Sequence, residues 1–271
     1  MTDLYAVIGN PIAHSKSPRI HAEFARQLGE DLRYEAILAP RDAFAAAVSA
    51  FRAAGGRGLN VTVPFKLEAF ELATERTERA VQAQAVNTLS FDGAAVFGDN
   101  TDGAGLIADL RDRLGFAIRG RRVLIMGAGG AARGVILPLL AQEPAALSIA
   151  NRTVERALAL ERQFAAFGPV RGGGYAELGG HAFHLVVNAT SAGLAGELPP
   201  LPRGIFAPGS LAYDMTYGED STRFLAHARA EGAAQVADGL GMLVAQAAES
   251  FFIWRGRRPD IRPVIDLLRA G

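Results

Sequence analysis

The sequence predicts an α/β protein whose second half forms a doubly wound parallel sheet. After Asp102 and Gly103, short apolar runs alternate regularly with segments of helical periodicity, which is typical of parallel strands joined by helices. The first of these runs ends in a glycine turn, from Gly127 to Gly130, and helix-forming residues follow it directly. Hydrophobic residues make up 49% of the 271 residues and charged residues 21%, so the chain can bury a full core.

The first half of the chain predicts a smaller mixture of strands and helices. Short apolar runs closed by glycine or proline predict strands at residues 4–8, 34–38 and 59–63. Two further runs, at 87–91 and 95–97, flank Asp92 and Gly93 and predict a hairpin. The change of pattern after these elements places a domain boundary near residue 102.

Helices in the first half are predicted from apolar residues that recur every three or four positions. Ile20, Phe24 and Leu28 form one such face, and Ser17 is expected to cap this helix with Pro18 at its first position. Similar spacing predicts a helix over 44–51, and Pro64 is expected to open the helix that carries Lys66.

The second half predicts five strands, at residues 123–126, 147–150, 185–188, 211–215 and 235–237. The helix after the glycine turn contains Pro138, but its buried apolar residues still favour a helix. A long helix over 242–254 and a short one over 264–268 complete the chain.

Composition excludes several classes of function. The 28 basic and 28 acidic side chains give a net charge of +0, which provides no positive surface for nucleic acid or an anionic membrane. The absence of cysteine excludes disulfides, a thiolate nucleophile and a cysteine-ligated metal. The acidic start of the chain and the lack of a long apolar run favour a cytoplasmic protein that neither enters a membrane nor binds nucleic acid.

The glycine turn and a segment some twenty residues further on predict a dinucleotide site. Backbone N–H groups at the start of a helix bind a pyrophosphate, and Ala132 is allowed at the third glycine position. Chains that select NAD usually carry an acid after the second strand, whereas this chain has Asn151, Arg152 and Thr153, with Arg156 one turn later. Guanidinium groups suit a 2′-phosphate, so the cofactor is expected to be NADP(H). A structural turn, another nucleotide or a methyltransferase remain alternatives.

Lys66 and Asp102 are the candidates for acid–base chemistry in a nicotinamide enzyme, which must move a proton as well as a hydride. Lys66 opposes the dipole at the start of its predicted helix, a local cost that suggests another purpose for the position. Asp102 lies at the expected domain junction, where a carboxylate could hold the lysine ammonium. A surface lysine and an ordinary helix cap are the alternatives.

Short polar side chains cluster at the ends of the first-half strands and suit a ligand rich in hydroxyl groups. They are Ser15, Ser17, Asn60, Thr62 and Asn87, each of which could also be a simple cap or turn residue. None of the five histidines lies in a metal-binding signature; His181 and His184 could share a metal only if they were helical, so no metal is expected.

Six segments in order resemble the shikimate dehydrogenase family, and the resemblance covers nearly the whole chain. They are GNPIAHSKSP (9–18), NVTVPFK (60–66), AVNT (85–88), GDNTDG (98–103), GAGGA (127–131) and DGLGMLVAQ (238–246). The resemblance implies NADP(H)-dependent, reversible reduction of 3-dehydroshikimate to shikimate in the aromatic amino-acid pathway, with Lys66 and Asp102 as the acid–base pair.

The resemblance also implies which side chains bind each ligand. Substrate would contact Ser15, Ser17, Thr62, Lys66, Asn87, Asp102 and Gln246, together with Tyr217 and Asn60. The cofactor would contact Gly127, Ala128, Gly129, Gly130 and Ala131 at its pyrophosphate, and Asn151, Arg152, Thr153 and Arg156 at its adenosine phosphate. Thr190, Met215, Gly239 and Met242 would lie near the nicotinamide, and Glu78 is a weaker cofactor candidate.

The fold implied by the resemblance has an N-terminal α/β substrate domain, 1–102, completed by a C-terminal helix that returns to it within 240–271. A Rossmann domain, 103–239, would bind the cofactor. Two alternatives stay open: a broad quinate/shikimate dehydrogenase, and a non-catalytic NADP(H)-binding sensor on the same fold. The sequence leaves monomer and homodimer equally open.

Overall fold

A computed structural model describes residues 2–190, 198–218 and 222–270 of the chain. Its strands are β1 (Asp3–Gly9), β2 (Leu32–Leu38), β3 (Gly56–Val61), β4 (Glu75–Arg76), β5 (Thr88–Asp92), β6 (Ala95–Asp99), β7 (Arg122–Met126), β8 (Ala146–Ala150), β9 (Val170–Gly173), β10 (Phe183–Asn188), β11 (Phe206–Asp214) and β12 (Gln235–Asp238). Its α-helices are α1 (Ser17–Leu28), α2 (Phe44–Ala53), α3 (Lys66–Leu72), α4 (Glu78–Ala83), α5 (Asp102–Ala108), α6 (Gly130–Leu140), α7 (Val154–Phe164), α8 (Arg223–Ala230), α9 (Leu240–Arg255) and α10 (Arg262–Arg269).

The chain divides into two compact units, and the predicted α/β class is confirmed. The first unit comprises Met1–Gly105 and Leu243–Gly271, and the second comprises Leu106–Met242. Both boundaries fall within helices, α5 and α9. Among the residues that the structure describes, no helix combines the length and the apolar composition that a membrane span requires.

The first unit is built on a six-stranded mixed sheet with strand order β2-β1-β3-β5-β6-β4. Strand β1 pairs in parallel with β2 and β3, whereas β5 and β6 form the predicted antiparallel hairpin. One face of β1 packs Ala6 and Ile8 into an apolar cluster with Phe44 and Phe65. On β1, Tyr5 instead stacks on the Trp254 ring, with ring centroids 4.7 Å apart.

Helix α1 begins one residue earlier than predicted. Lys16 occupies the N-cap position and makes no side-chain cap, while Ser17 is the first helical residue. The expected cap by Ser17 is therefore wrong. The serine still lies where the chain leaves β1 and enters the helix, and its side chain is buried.

The second unit is a six-stranded, all-parallel sheet with strand order β12-β11-β10-β7-β8-β9. Along β7, Val123 and Ile125 belong to one apolar cluster, whereas Leu124 and Met126 belong to another. Because successive side chains of a strand point to opposite faces, this division shows that both faces of the sheet are covered.

The strand order of the second unit reverses direction at β7. The chain passes from β7 to β8 and β9 on one side, and then returns to β10 on the other side of β7. Parallel α/β sheets bind ligands outside the carboxyl ends of the strands at such a switch point. The turns after β7 and β10 are therefore the places to look for a cofactor site.

Candidate active site

Lys66 and Asp102, predicted as an acid–base pair, lie in direct contact within the first unit. The Lys66 ammonium donates to Asp102 Oδ2. Lys66 is the first residue of α3 and Asp102 is the first residue of α5, so two helix starts bring together residues 36 positions apart. The lysine side chain is 14% exposed and the aspartate side chain 6%, so the pair is shielded from water but not sealed.

Asn87 holds the second oxygen of the Asp102 carboxylate. Its Nδ2 donates to Asp102 Oδ1 at 2.9 Å, to Thr101 Oγ1 at 2.8 Å and to Gln246 Oε1 at 3.2 Å. Its Oδ1 accepts the backbone N–H of Thr101 at 2.8 Å, and a backbone N–H can only donate. This bond fixes the orientation of the amide, so the NH₂ group of Asn87 must face the carboxylate.

Three buried hydroxyls, which the sequence analysis did not single out, support this arrangement. They belong to Thr88, Thr101 and Ser250. Ser250 Oγ lies 2.8 Å from Thr88 Oγ1 and 3.3 Å from Thr101 Oγ1. Ser250 is fully buried and follows Gln246 by one turn of α9, so a shared helix face was the only signal that could have revealed it.

Asn60 lies in the interior of the first unit, with both ends of its amide bonded to protein groups. Its Oδ1 accepts the Tyr34 hydroxyl at 2.7 Å, and its Nδ2 donates to Ser250 Oγ at 2.9 Å and Thr88 Oγ1 at 3.3 Å. Asn60 is only 5% exposed. The structure therefore places Asn60 in the buried polar network that adjoins Asn87.

The other predicted substrate residues of the first unit follow β1 and β3. Ser15 Oγ accepts the backbone N–H of Ser17 at 3.3 Å, so the two serines lie side by side after β1. Thr62 follows β3, and its N–H donates to Ile8 O at 3.0 Å, which ties it to the end of β1. Gln246 is 9% exposed on α9, where Asn87 donates to it. Tyr217 lies half-buried in the second unit, after β11.

His21 is a fully buried imidazole in the first unit. Its ring stacks on Tyr34 with centroids 4.1 Å apart and planes 4° from parallel. Neither ring nitrogen finds a hydrogen-bond partner in the part of the chain that the structure describes. Burial lowers the pKa of His21 to about 3, so the ring is neutral at physiological pH.

In the second unit, the strands of the sheet end in register at one edge. Met126 pairs with Ala150 and with Asn188, Asn188 pairs with Asp214, and Asp214 pairs with Asp238. The one or two residues that follow each strand include the predicted cofactor contacts at this edge: Gly127, Asn151, Thr190, Met215 and Gly239. The register thus brings together candidates that span more than one hundred residues of sequence.

The turn at Gly127 has the backbone that a dinucleotide cradle requires. Gly127 has a φ of +106°, and a Cβ there would lie 3.0 Å from the carbonyl oxygen of Ala189, so only glycine fits without strain. Gly129 forms the N-cap of α6, and a Cβ on it would meet nothing within 4 Å. The amides of Gly130 and Ala131 in the first turn therefore adjoin open space beside Gly129, which suits a pyrophosphate.

Arg152 and Arg156 are exposed after β8, and neither forms a salt bridge with any carboxylate that the structure describes. Asn151 Nδ2 donates to Thr153 O at 2.8 Å and shapes the turn between them. These two exposed guanidinium groups follow β8, the strand that pairs with β7 beside the glycine turn, and they suit a phosphate ester. The residues present therefore fit NADP(H) on the chemistry of their donors.

Two remaining cofactor candidates have different surroundings. Met242 is buried near the start of α9, at the end of the second unit. Glu78 is exposed at the first position of α4 and belongs to the first unit, whereas the other cofactor candidates belong to the second.

Three protein-family descriptions match successive parts of the chain. The family described as shikimate dehydrogenase substrate binding domain matches residues 7–89, the one described as shikimate / quinate 5-dehydrogenase matches 110–192, and the one described as shikimate 5′-dehydrogenase C-terminal domain matches 239–269. Shikimate dehydrogenase (NADP(+)) of Nitrosospira multiformis is 64% identical over 271 residues, which cover 100% of this chain and 98% of the relative.

Solved structures extend this similarity to three dimensions. An Ael1 enzyme from Pseudomonas putida is 50% identical with a TM-score of 0.91, and the match covers 98% of each chain. Shikimate 5-dehydrogenase from Thermus thermophilus, solved in complex with NADP(H) and shikimate, is 34% identical with a TM-score of 0.87, and the match covers 99% of each chain.

Proposed function

The chain belongs to the shikimate dehydrogenase family, and we propose that it catalyses the reversible, NADPH-dependent reduction of 3-dehydroshikimate to shikimate. The observation that carries this proposal is the shielded contact between Lys66 and Asp102, with Asn87 on the other carboxylate oxygen. A protein that only bound NADP(H) would have no need for such a pair. The names of the relatives, with their NADP dependence, support the same reaction.

In this proposal, one part of the chain binds the substrate and another binds the cofactor. Residues 1–102, with 240–271, bind the substrate through Ser15, Ser17, Thr62, Asn87 and Gln246, whose short neutral side chains suit hydroxyl groups. Residues 103–239, together with Met242, bind NADP(H), and Tyr217 of this segment contacts the substrate. Asn60 supports the substrate site indirectly, because its amide is already bonded to Tyr34 and Ser250.

The cofactor residues would act along the carboxyl edge of the second sheet. The amides of the segment 127–131 would hold the pyrophosphate, and Arg152 and Arg156 would hold the 2′-phosphate. Thr190, Met215, Gly239 and Met242 would surround the nicotinamide, while Glu78 remains a weaker candidate. When bound, NADP(H) supplies the hydride in reduction and accepts it in oxidation.

The proton of the reaction passes through Lys66. During reduction, the Lys66 ammonium donates a proton to the carbonyl oxygen as that oxygen becomes a hydroxyl. During oxidation, the neutral lysine amine takes the proton from the substrate hydroxyl. Asp102 fixes the position of Nζ and balances the positive charge of the ammonium, while the hydrogen bond from the Asn87 amide fixes the orientation of the carboxylate.

A substrate and cofactor matrix tests this function. Shikimate and quinate are each assayed with NADP⁺ and with NAD⁺ by the absorbance of the reduced nicotinamide. We expect turnover with shikimate and NADP⁺ to exceed the other three combinations. Comparable rates with quinate would favour the broader quinate/shikimate dehydrogenase, whose name the family match at 110–192 carries. NADP(H) binding without any turnover would favour the sensor.

A further inference from the structure

A buried polar pair joins the ends of β10 and β11. Asn188 is 1% exposed and Asp214 is 0% exposed, and the two are register partners at the carboxyl ends of their strands. Asn188 Nδ2 donates to Asp214 Oδ1 at 3.3 Å. Neither residue has a role in the reaction described above.

Each member of the pair also fixes the turn that follows its own strand. Asn188 Oδ1 accepts the backbone N–H of Thr190 at 3.2 Å and its hydroxyl at 2.7 Å. Asp214 Oδ1 accepts the backbone N–H of Thr216 at 3.1 Å and its hydroxyl at 2.8 Å. Two adjacent strands therefore end in matched turns, in which an Asn or Asp side chain binds the threonine two residues later.

The second oxygen of Asp214 anchors the next helix. Asp214 Oδ2 accepts the Thr222 hydroxyl at 2.6 Å, and the same hydroxyl oxygen caps α8 by accepting the N–H of Leu225 at 3.3 Å. Four donors thus converge on one carboxylate, which forms no salt bridge with any cation among residues that the structure describes. A carboxylate suits this position because both of its oxygens only accept hydrogen bonds.

Backbone contacts connect these turns to one another and to β12. The N–H of Met215 donates to Asn188 O, and the N–H of Gly239 donates to Thr216 O, each at 2.9 Å. A Cβ on Gly239 would lie 2.4 Å from Met215 O, so the two segments are in direct contact. Movement of the turn after β11 would therefore displace Met215 and Gly239 together.

We infer that Asp214, with Asn188, is a positioning residue for the nicotinamide end of the cofactor site. The pair fixes Thr190, Met215 and Gly239, three of the four residues assigned to that end, and forms no hydrogen bond with the residues assigned to the adenosine phosphate. This inference rests on the proposed function, because it takes the placement of the nicotinamide from it.

The test compares two ligands that share the adenosine 2′-phosphate but differ in the nicotinamide. NADPH and adenosine 2′,5′-bisphosphate are titrated by calorimetry into the full-length wild type, Asp214→Asn and Thr216→Val. The last variant removes one donor to Asp214 and keeps the backbone N–H and the side-chain volume, so it remains informative if Asp214→Asn folds poorly. Arg152→Ala is the matched control for the opposite end of the site.

We expect Asp214→Asn to weaken NADPH binding about tenfold or more, and Thr216→Val to weaken it less, with bisphosphate binding within about twofold of wild type in both. Arg152→Ala should weaken both ligands. Equal weakening of the two ligands by Asp214→Asn, or no weakening of either, would overturn the inference. If the wild type bound neither ligand, the proposed function itself would fail.

Discussion

The buried His21 makes a quantitative prediction about the stability of the first unit. Its neutral ring stacks on Tyr34, whose hydroxyl donates to Asn60 in the polar network beneath Asn87. Burial lowers the pKa of His21 from 6.5 to about 3, whereas the unfolded chain restores the ordinary value. Below pH 6.5, His21 therefore binds a proton in the unfolded state, whereas it stays neutral in the folded state until the pH approaches 3.

The sign and size of the effect follow from proton linkage. The stability that the neutral ring contributes is complete above pH 6.5 and decreases as the pH falls towards 3. The free energy of unfolding should decrease by about 1.4 kcal/mol per pH unit within that window, which amounts to about 2 kcal/mol between pH 7 and pH 5 from His21 alone.

The perturbation that isolates this contribution is His21→Phe, which keeps an aromatic ring on Tyr34 and removes both unpartnered nitrogens. Urea unfolding at pH 5, 6, 7 and 8 should show a weaker loss of stability on acidification for the variant than for the wild type, by about 2 kcal/mol over the range from 7 to 5. His14→Gln, which changes an exposed histidine of the same unit, is the control. Identical pH dependence in the wild type and His21→Phe would refute the reasoning.

Two further predictions concern the cofactor and the polar network. Arg152→Asp should weaken NADPH binding about tenfold or more while NADH binding changes little, because the exposed guanidinium would pair with the 2′-phosphate that NADH lacks; titration of both cofactors checks this, and equal losses would contradict it. Ser250→Ala should lower the free energy of unfolding by about 1–3 kcal/mol, because it leaves the Asn60 amide without its partner at 2.9 Å. Ser90→Ala is the matched control in urea denaturation, since the buried Ser90 hydroxyl has no hydrogen-bond partner in the described part of the chain, and a similar loss in both variants would count against the network.

The sequence predicted most of the second unit because its signals are local. Each apolar run before a glycine or polar turn became a strand, and the glycine turn predicted at Gly127 follows β7, where the strand order reverses. Strand β9 was missed because Val170–Gly173 contains one large apolar residue and two glycines, which show no alternation. Strand β4 has only two residues, too few to show any pattern.

The candidate site was only partly visible in the sequence. Lys66 and Asp102 could be chosen from their positions at helix starts and from the resemblance, but their contact depends on how α3 and α5 pack. The hydroxyl of Ser250 meets Thr88 across 162 residues of sequence, and no local pattern reports such a pairing. His21 is adjacent to Ile20 on the apolar face of α1, yet its burial against Tyr34 depends on a neighbouring strand.

The central claim is that Lys66 carries the proton, and two substitutions test it most directly. Lys66→Met removes the charge and the proton while keeping a long side chain; Lys66→Arg keeps a cation for Asp102, but a guanidinium cannot release its proton near neutral pH. Both variants should lower turnover of shikimate by about 10²- to 10⁴-fold with NADPH affinity within about twofold of wild type. Near-normal turnover in Lys66→Arg would show that the charge alone suffices and would contradict the assignment.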